Sequence, residues 1–400
     1  MEENRAMSIS DEYAGANVTR LPLRPRRLKR REPHEIPPRP WLYGTILQRG
    51  FTSMIIAPGG TGKTQLGLAI AADIASGRGF LGFKIWERVP VWYLNLEDPE
   101  VEIERRMAAI RLIHGITWDE VDEWLYLHNG RERPVCIAAK GDGSHIVYPD
   151  HDLVVAAARA CGMGLIVVDP FARSHSLVEN SNEEMNAAMG AWNAVAEEVG
   201  CGVALLQHVR KGFTGDVEDS RGARALIDGA RMCLTLQHMA TEECEQVGVK
   251  VDDRHRFVRL LDGKVNMAPQ ASEATWFEMR EVELGNATAI YPNGDRVSAL
   301  ARWTKPGPWG GLDNIIANRI LDAVEEGFRD GRPYSAASKA EARAAWRIVQ
   351  KHCPDKAEAA CRAIVNTWVK NGLLFAQDYR DKAEGKDRLG LRVNATKRPS

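Results

Sequence analysis

Residues 57–64 read APGGTGKT, with Gln65 directly after them. A glycine-rich turn followed by Lys and Thr is a pattern that holds phosphate: successive backbone N–H groups cradle the oxygens, and the positive end of a following helix adds to the field. In that arrangement Gly59, Gly60, Thr61 and Gly62 wrap the phosphates and Gln65 completes the contact set. The Lys63 ammonium reaches the β and γ phosphates, and the Thr64 hydroxyl helps hold Mg²⁺. Ala57 stands where such loops usually carry their first glycine. That position serves the turn out of the strand and accommodates a methyl. Gly59, Gly60 and Gly62 remain where the backbone must approach phosphate or take unusual dihedrals. The loop is therefore expected to bind nucleotide, with ATP and Mg²⁺ as cofactors.

Hydrolysis asks for two further carboxylates. The run LIVVDPF ends four apolar residues in Asp169, at the carboxyl end of a buried strand where open α/β sheets bind ligands; Asp169 is the candidate second metal ligand. In VWYLNLEDPE, Glu97 follows another strand end and is the candidate that polarises the attacking water. Asp98 beside it is placed to cap a helix starting at Pro99. GVALLQHVRKG ends a further strand at Gln207–His208, a polar pair able to report the γ-phosphate to the loop beyond.

These residues need a scaffold, and the chain supplies its pattern. Between about 50 and 270, short runs apolar throughout (TSMIIA, VWYLNL, LIVVD, GVALLQHV) alternate with segments of helical period. Continuous apolar runs mean strands buried on both faces, and strand–helix alternation means a mainly parallel sheet. The fold class is α/β, and RMCLTLQ and RFVRLLDGKVNM are expected to extend the sheet. Residues 1–40 are polar, basic and proline-rich, an arm with the composition of disorder. Residues 41–280 form the core, 281–311 a linker with the turn signals PNGD and KPGPWGG, and 312–400 a small domain. Its three amphipathic segments and closing hairpin predict a winged-helix-like fold, with Trp346 and Trp368 in its core.

Charge and cysteine bound the partners. The net charge of −1 conceals an excess of +8 in residues 331–400, which carry 15 Lys and Arg against 7 Asp and Glu. Local positive charge of this kind neutralises phosphates. Arg343, Arg347, Lys351 and Lys370 lie on predicted helix faces there. The seven cysteines have no CxxC pair, which is the usage of a reducing cytoplasm and argues against structural zinc. No apolar run of about 18 residues exists, so no membrane span is expected.

Taken together, APGGTGKT, VWYLNLEDPEVEIERRMAAI, LIVVDPFARSH with the acidic ENSNEEM, LLQHVRKG, DSRGARALIDGARMCLTL and GKVNMAP resemble the RecA-like P-loop ATPases. Within these the chain is similar to the hexameric plasmid replicative helicases of RepA type. The likeness spans roughly 45–280. It implies that Glu97 is the catalytic base, Asp169 the metal-side carboxylate and His208 the γ-phosphate sensor. It also implies a site between subunits of a homo-hexamer, completed by a neighbour's arginine: Arg231 in DGAR, with Arg221 in DSRG as second choice. Lys264 matches a position near the neighbouring nucleotide. RGARAL departs from the family, which often has small hydroxyl residues after the Arg–Gly pair.

The function expected is an ATP-driven DNA helicase or translocase of replication type, gripping single-stranded DNA through Arg210 and Lys211 and contacting duplex DNA through the C-terminal domain. The combination suggests a mobile element or prophage. A non-helicase, ATP-dependent regulator acting as a nucleotide switch stays open as the alternative.

Overall fold

The computed structural model of the chain describes residues 25–209, 229–247, 249–265, 267–269, 274–304, 312–337, 340–381 and 385–399. Met1–Arg39 and Pro40–Ser400 are two separate units. The described residues of the first are exposed and hold one 3-10 turn at Pro33–Glu35, where Glu35 accepts from the Glu32 N–H at 2.8 Å.

The second unit begins with β1 (Trp41–Tyr43), β2 (Leu47–Gln48), β3 (Thr52–Pro58), α1 (Lys63–Ser76), β4 (Val91–Asn95), α2 (Glu100–His114) and β5 (Leu125–Asn129). Next come β6 (Ala138–Lys140), β7 (Ile146–Val147), α3 (His151–Ala160), β8 (Leu165–Asp169), β9 (His175–Ser176), α4 (Asn182–Val199) and β10 (Gly202–Val209). It continues through β11 (Met232–His238), α5 (Thr241–Val247), β12 (Phe257–Val265), β13 (Thr275–Glu283) and β14 (Arg296–Arg302). The last elements are α6 (Asn314–Glu326), α7 (Trp346–His352), α8 (Glu358–Lys370), β15 (Leu374–Asp381) and β16 (Lys386–Val393).

Nine strands form one sheet in the order β14-β13-β12-β11-β3-β10-β8-β4-β5. From β11 to β5 every pairing is parallel; β12, β13 and β14 add antiparallel at one edge. Strand alternation explains why the parallel runs are apolar throughout. In β3, Ile55 packs with α1 and α2 on one face, while Met54 and Ile56 pack with α3 and α4 on the other. The helices obey ordinary end signals: Gly77 at φ 74° closes α1, and the Ser181 hydroxyl opens α4 by accepting from the Glu184 N–H. This is the predicted α/β class, a large, mostly parallel sheet with the glycine loop on a central strand. Among the described residues no helix is long and apolar enough to cross a membrane.

The structure departs from the expected linker at 281–311. β13 runs to Glu283 and β14 fills Arg296–Arg302, so the PNGD turn closes a hairpin on the sheet. RVSALAR has an arginine at each end and buries only Ala299, Leu300 and Ala301, so it lacks the continuous apolar signal of the central strands. The C-terminal elements gather a core of their own, with Ile320, Val349, Ile364, Trp368 and Leu374 among its members, and β15 and β16 pair as an antiparallel hairpin. Trp346 and Trp368 are both buried in it. The second amphipathic segment is helical only over Trp346–His352, preceded by a 3-10 turn at Glu341–Arg343.

Candidate functional site

The carboxyl ends of four neighbouring parallel strands set the site. Ala57 on β3 is level with His208 on β10, and Asn95 on β4 is level with Asp169 on β8. Ala57 is fully buried and still in strand register, so its methyl sits in the core, short of the turn. The chain leaves β3 at Pro58 and turns through Gly60 at φ 77° and Gly62 at φ 91°, dihedrals that a side chain would strain. Gly59 has no such dihedral and open space around it. The Thr61 hydroxyl donates to the Pro58 carbonyl at 2.8 Å and ties the loop across its base.

Lys63 opens α1 and is 3% exposed. Its ammonium donates to the Ala57 carbonyl at 2.9 Å and lies 2.7 Å from His208 Nδ1. Burial pulls its pKa down to about 8, against the opposing pull of Asp169 and Glu97. Burial also lowers the His208 pKa, and the neighbouring Lys63 charge lowers it further. Asp169 is 5% exposed and accepts from the Tyr93 hydroxyl at 2.6 Å. Its pKa is raised by burial; Tyr93, the Thr64 hydroxyl facing it, and Lys63 oppose the rise.

Glu97 is exposed two residues beyond β4, near enough for Lys63 and His208 to feel its charge. A buried amide fixes the turn that carries it. Asn95 Nδ2 donates to the Asp98 carbonyl at 2.7 Å, and Asn95 Oδ1 accepts from the Asp98 N–H at 3.1 Å. The Arg131 guanidinium donates to the Glu97 carbonyl at 2.9 Å from the neighbouring loop. Asp98 does not cap α2 as expected. The helix starts at Glu100 with Pro99 as its N-cap, and the Asp98 carboxylate pairs with Arg106 at 2.6 Å.

Lys63, Thr64, Glu97, Asp169 and His208 are therefore brought together. Gln65 goes elsewhere: it lines a cleft with Glu102, Arg105, Arg106 and Asp295, under β14. Gln207 points away from His208 by strand alternation, and its Nε2 donates to Glu179 at 3.2 Å. Arg231 is exposed at the amino end of β11, level with Thr52. Lys264 is at the same end, opposite Cys233. Neither is at the phosphate loop of its own chain. Arg210, Lys211 and Arg221 lie outside the described residues.

In the C-terminal domain Arg347 is exposed, but Arg343 is not the free surface cation expected. Its guanidinium donates to the Pro333 carbonyl at 3.2 Å and the Tyr379 hydroxyl at 2.8 Å, clasping the segment before α7 to β15.

Sequence reasoning missed Tyr93, Asn95 and Arg131. Tyr93 and Asn95 are embedded in an apolar strand run; the fold brings the Tyr93 hydroxyl to Asp169 on β8, and the turn after β4 brings Asp98 back to Asn95. Among the described residues no three His, Cys, Asp or Glu side chains gather as metal ligands. Thr64 and Asp169 offer two oxygen donors, the protein share expected of Mg²⁺ bound mainly through water and phosphate.

A family model described as an AAA domain matches residues 18–213. Among solved structures, a KaiC-like protein from the hyperthermophilic archaeon Pyrococcus horikoshii is similar at 14% identity and a TM-score of 0.39, covering 65% of this chain and 94% of that one. The domain match, with the site geometry above, supports ATP-dependent activity on the phosphate loop.

Proposed function

We propose that the chain is an ATP-driven motor on DNA, a replication-type helicase or translocase of RepA kind that hydrolyses ATP where two copies meet. The observation that carries the hydrolytic part is the convergence of Lys63, Glu97, Asp169 and His208 at four adjacent strand ends. Lys63 leaves the Ala57 carbonyl to neutralise phosphate. Thr64 and Asp169 would hold Mg²⁺, which supplies charge neutralisation on the phosphoryl oxygens. Glu97 orients the attacking water and takes its proton, with Asn95 holding the turn in place. His208, relieved of Lys63, faces the γ-phosphate.

Arg231 supports the intersubunit reading. About six strand residues separate it from the loop on β3, some 20 Å at strand rise, too far to serve its own nucleotide. A trans arginine is worth about 10³–10⁵ in rate in other phosphoryl-transfer sites. A homo-hexameric ring with single-stranded DNA in its channel, and duplex DNA held by the basic C-terminal domain through residues such as Arg347, completes the reading.

The test is the ATPase rate with and without single-stranded DNA, with Lys63→Ala as control, followed by a strand-separation assay. DNA stimulation and unwinding, both lost in Lys63→Ala, support the motor. A Lys63-dependent rate indifferent to DNA favours the alternative, a nucleotide-switched regulator.

A further inference from the structure

All the hydrolytic groups lie on one side of the phosphate loop. In the sheet order, β10, β8 and β4 stand to one side of β3, and β11 with β12 and β13 to the other. A triphosphate with its γ end between His208, Asp169 and Glu97 must therefore extend its other end over β11. There the structure offers a second group of side chains that the hydrolytic reading does not use.

His238 ends β11 and is paired through Val258 to Phe277. Those two pack in the core beneath α1, so His238 shares the sheet face on which the phosphate loop rests. Its ring lies against the backbone of Gly60 and of His255. Its Nδ1 is buried without a hydrogen-bond partner. Met279 reaches Gly62 from β13 on the same face, an apolar neighbour for the same space. Arg254 is exposed beside His238, with its guanidinium 3.5 Å from the Met239 carbonyl.

We propose that His238 and Arg254 hold the nucleoside end of the bound triphosphate. The part-exposed His238 ring packs against ribose or base, the flat guanidinium stacks or donates beside it, and Met279 gives an apolar side. Burial and the Arg254 charge lower the His238 pKa, opposed by its hydrogen bonds to the Gly60 and His255 backbone, which favours the neutral ring. The inference rests on the phosphate-loop reading above and adds to it the part of the ligand that is not phosphate.

Equilibrium binding of two probes separates the parts: Mg-ATP, and Mg-tripolyphosphate, which has the phosphates and no nucleoside. The full-length wild type is expected to bind ATP the more tightly. His238→Ala and Arg254→Ala should each weaken ATP by about two- to tenfold, the range of one hydrogen bond, and leave tripolyphosphate unchanged. Lys63→Ala should weaken both. Unchanged tripolyphosphate affinity also reports an intact loop, and the exposed Arg254 carries the test if His238→Ala misfolds. Equal wild-type affinity for the two probes, unchanged ATP affinity in both variants, or equal loss of both ligands would overturn the assignment. Wild type that binds neither probe would overturn the phosphate-loop reading itself, and this assignment with it.

Discussion

The Lys63 ammonium lies 2.7 Å from His208 Nδ1, so the charge meant for phosphate and the ring at the end of β10 are in direct contact. Lys63 donates, which puts the proton of a neutral His208 on Nε2. With a pKa of about 8 against an ordinary 10.5, Lys63 is charged less readily in the folded chain than in the unfolded one. Between those values the unfolded chain binds more proton and stability rises with pH. Phosphate reverses the effect by pulling the pKa back up. ATP affinity should therefore hold below pH 8 and fall above it, by up to about tenfold per unit. Calorimetry in buffers of different ionisation enthalpy should detect proton uptake on binding above pH 8, absent in Lys63→Met.

Tyr93→Phe removes the hydroxyl that donates to Asp169 and should cost about 1.5–3 kcal/mol, the range for a hydrogen bond to a charged group. The Asp169 pKa, already raised by burial, would rise further. The acid limb of the ATPase profile should therefore shift to higher pH. A denaturant titration and a kcat–pH profile check both parts.

Glu97→Gln should retain ATP binding and lower turnover by about 10²–10⁴, the usual share of a general base. Asn95→Ala should reproduce part of this loss with Glu97 still present, because the turn at Asp98 loses two hydrogen bonds. Single-turnover rates at saturating ATP separate this from a binding defect.

If Arg231 acts in trans, Arg231→Ala and Lys63→Ala should each be nearly inactive alone and recover activity when mixed. Some mixed interfaces then pair an intact Lys63 with an intact Arg231. No recovery on mixing, with assembly preserved, would reject the trans role.

Arg343 and Arg347 should behave differently. Arg343→Ala loses the clasp to Pro333 and Tyr379 and should destabilise the C-terminal domain by about 1–3 kcal/mol. Arg347, exposed, donates to the Glu341 carbonyl at 2.9 Å and lies over Trp346. Arg347→Ala should cost about 1 kcal/mol or less and reduce the salt slope of DNA binding by about one phosphate contact. Thermal unfolding and a salt series on a duplex probe distinguish them.

The glycine loop and the strand ends bearing Asp169, Glu97 and His208 were legible because each sits where an apolar run stops, a local signal. Tyr93 and Asn95 were not, since a polar group inside a buried run gains meaning only from the partner its side chain meets in the fold, Asp169 on β8 for Tyr93 and the turn at Asp98 for Asn95. β14 was misread because its buried part is only the short run Ala299, Leu300 and Ala301, set between arginines and flanked by the PNGD and KPGPWGG turn signals. Arg343 was misread because a helix-face argument assumed a helix where a 3-10 turn stands.

The sheet has two chemically unlike ends, with Lys63, Glu97, Asp169 and His208 at one and Arg231 at the other. Such a chain has a socket and a plug on different faces. Two copies related by a two-fold axis with socket against socket complete neither site, whereas an antiparallel pair side by side could complete both. If Arg231 is the plug and the socket faces a different neighbour, the contact is head-to-tail. An open row of any length then leaves one socket empty, and closing it gives every member a finished site. The advantage of closure is thus one extra working site per assembly, largest in proportion for the smallest ring that can form.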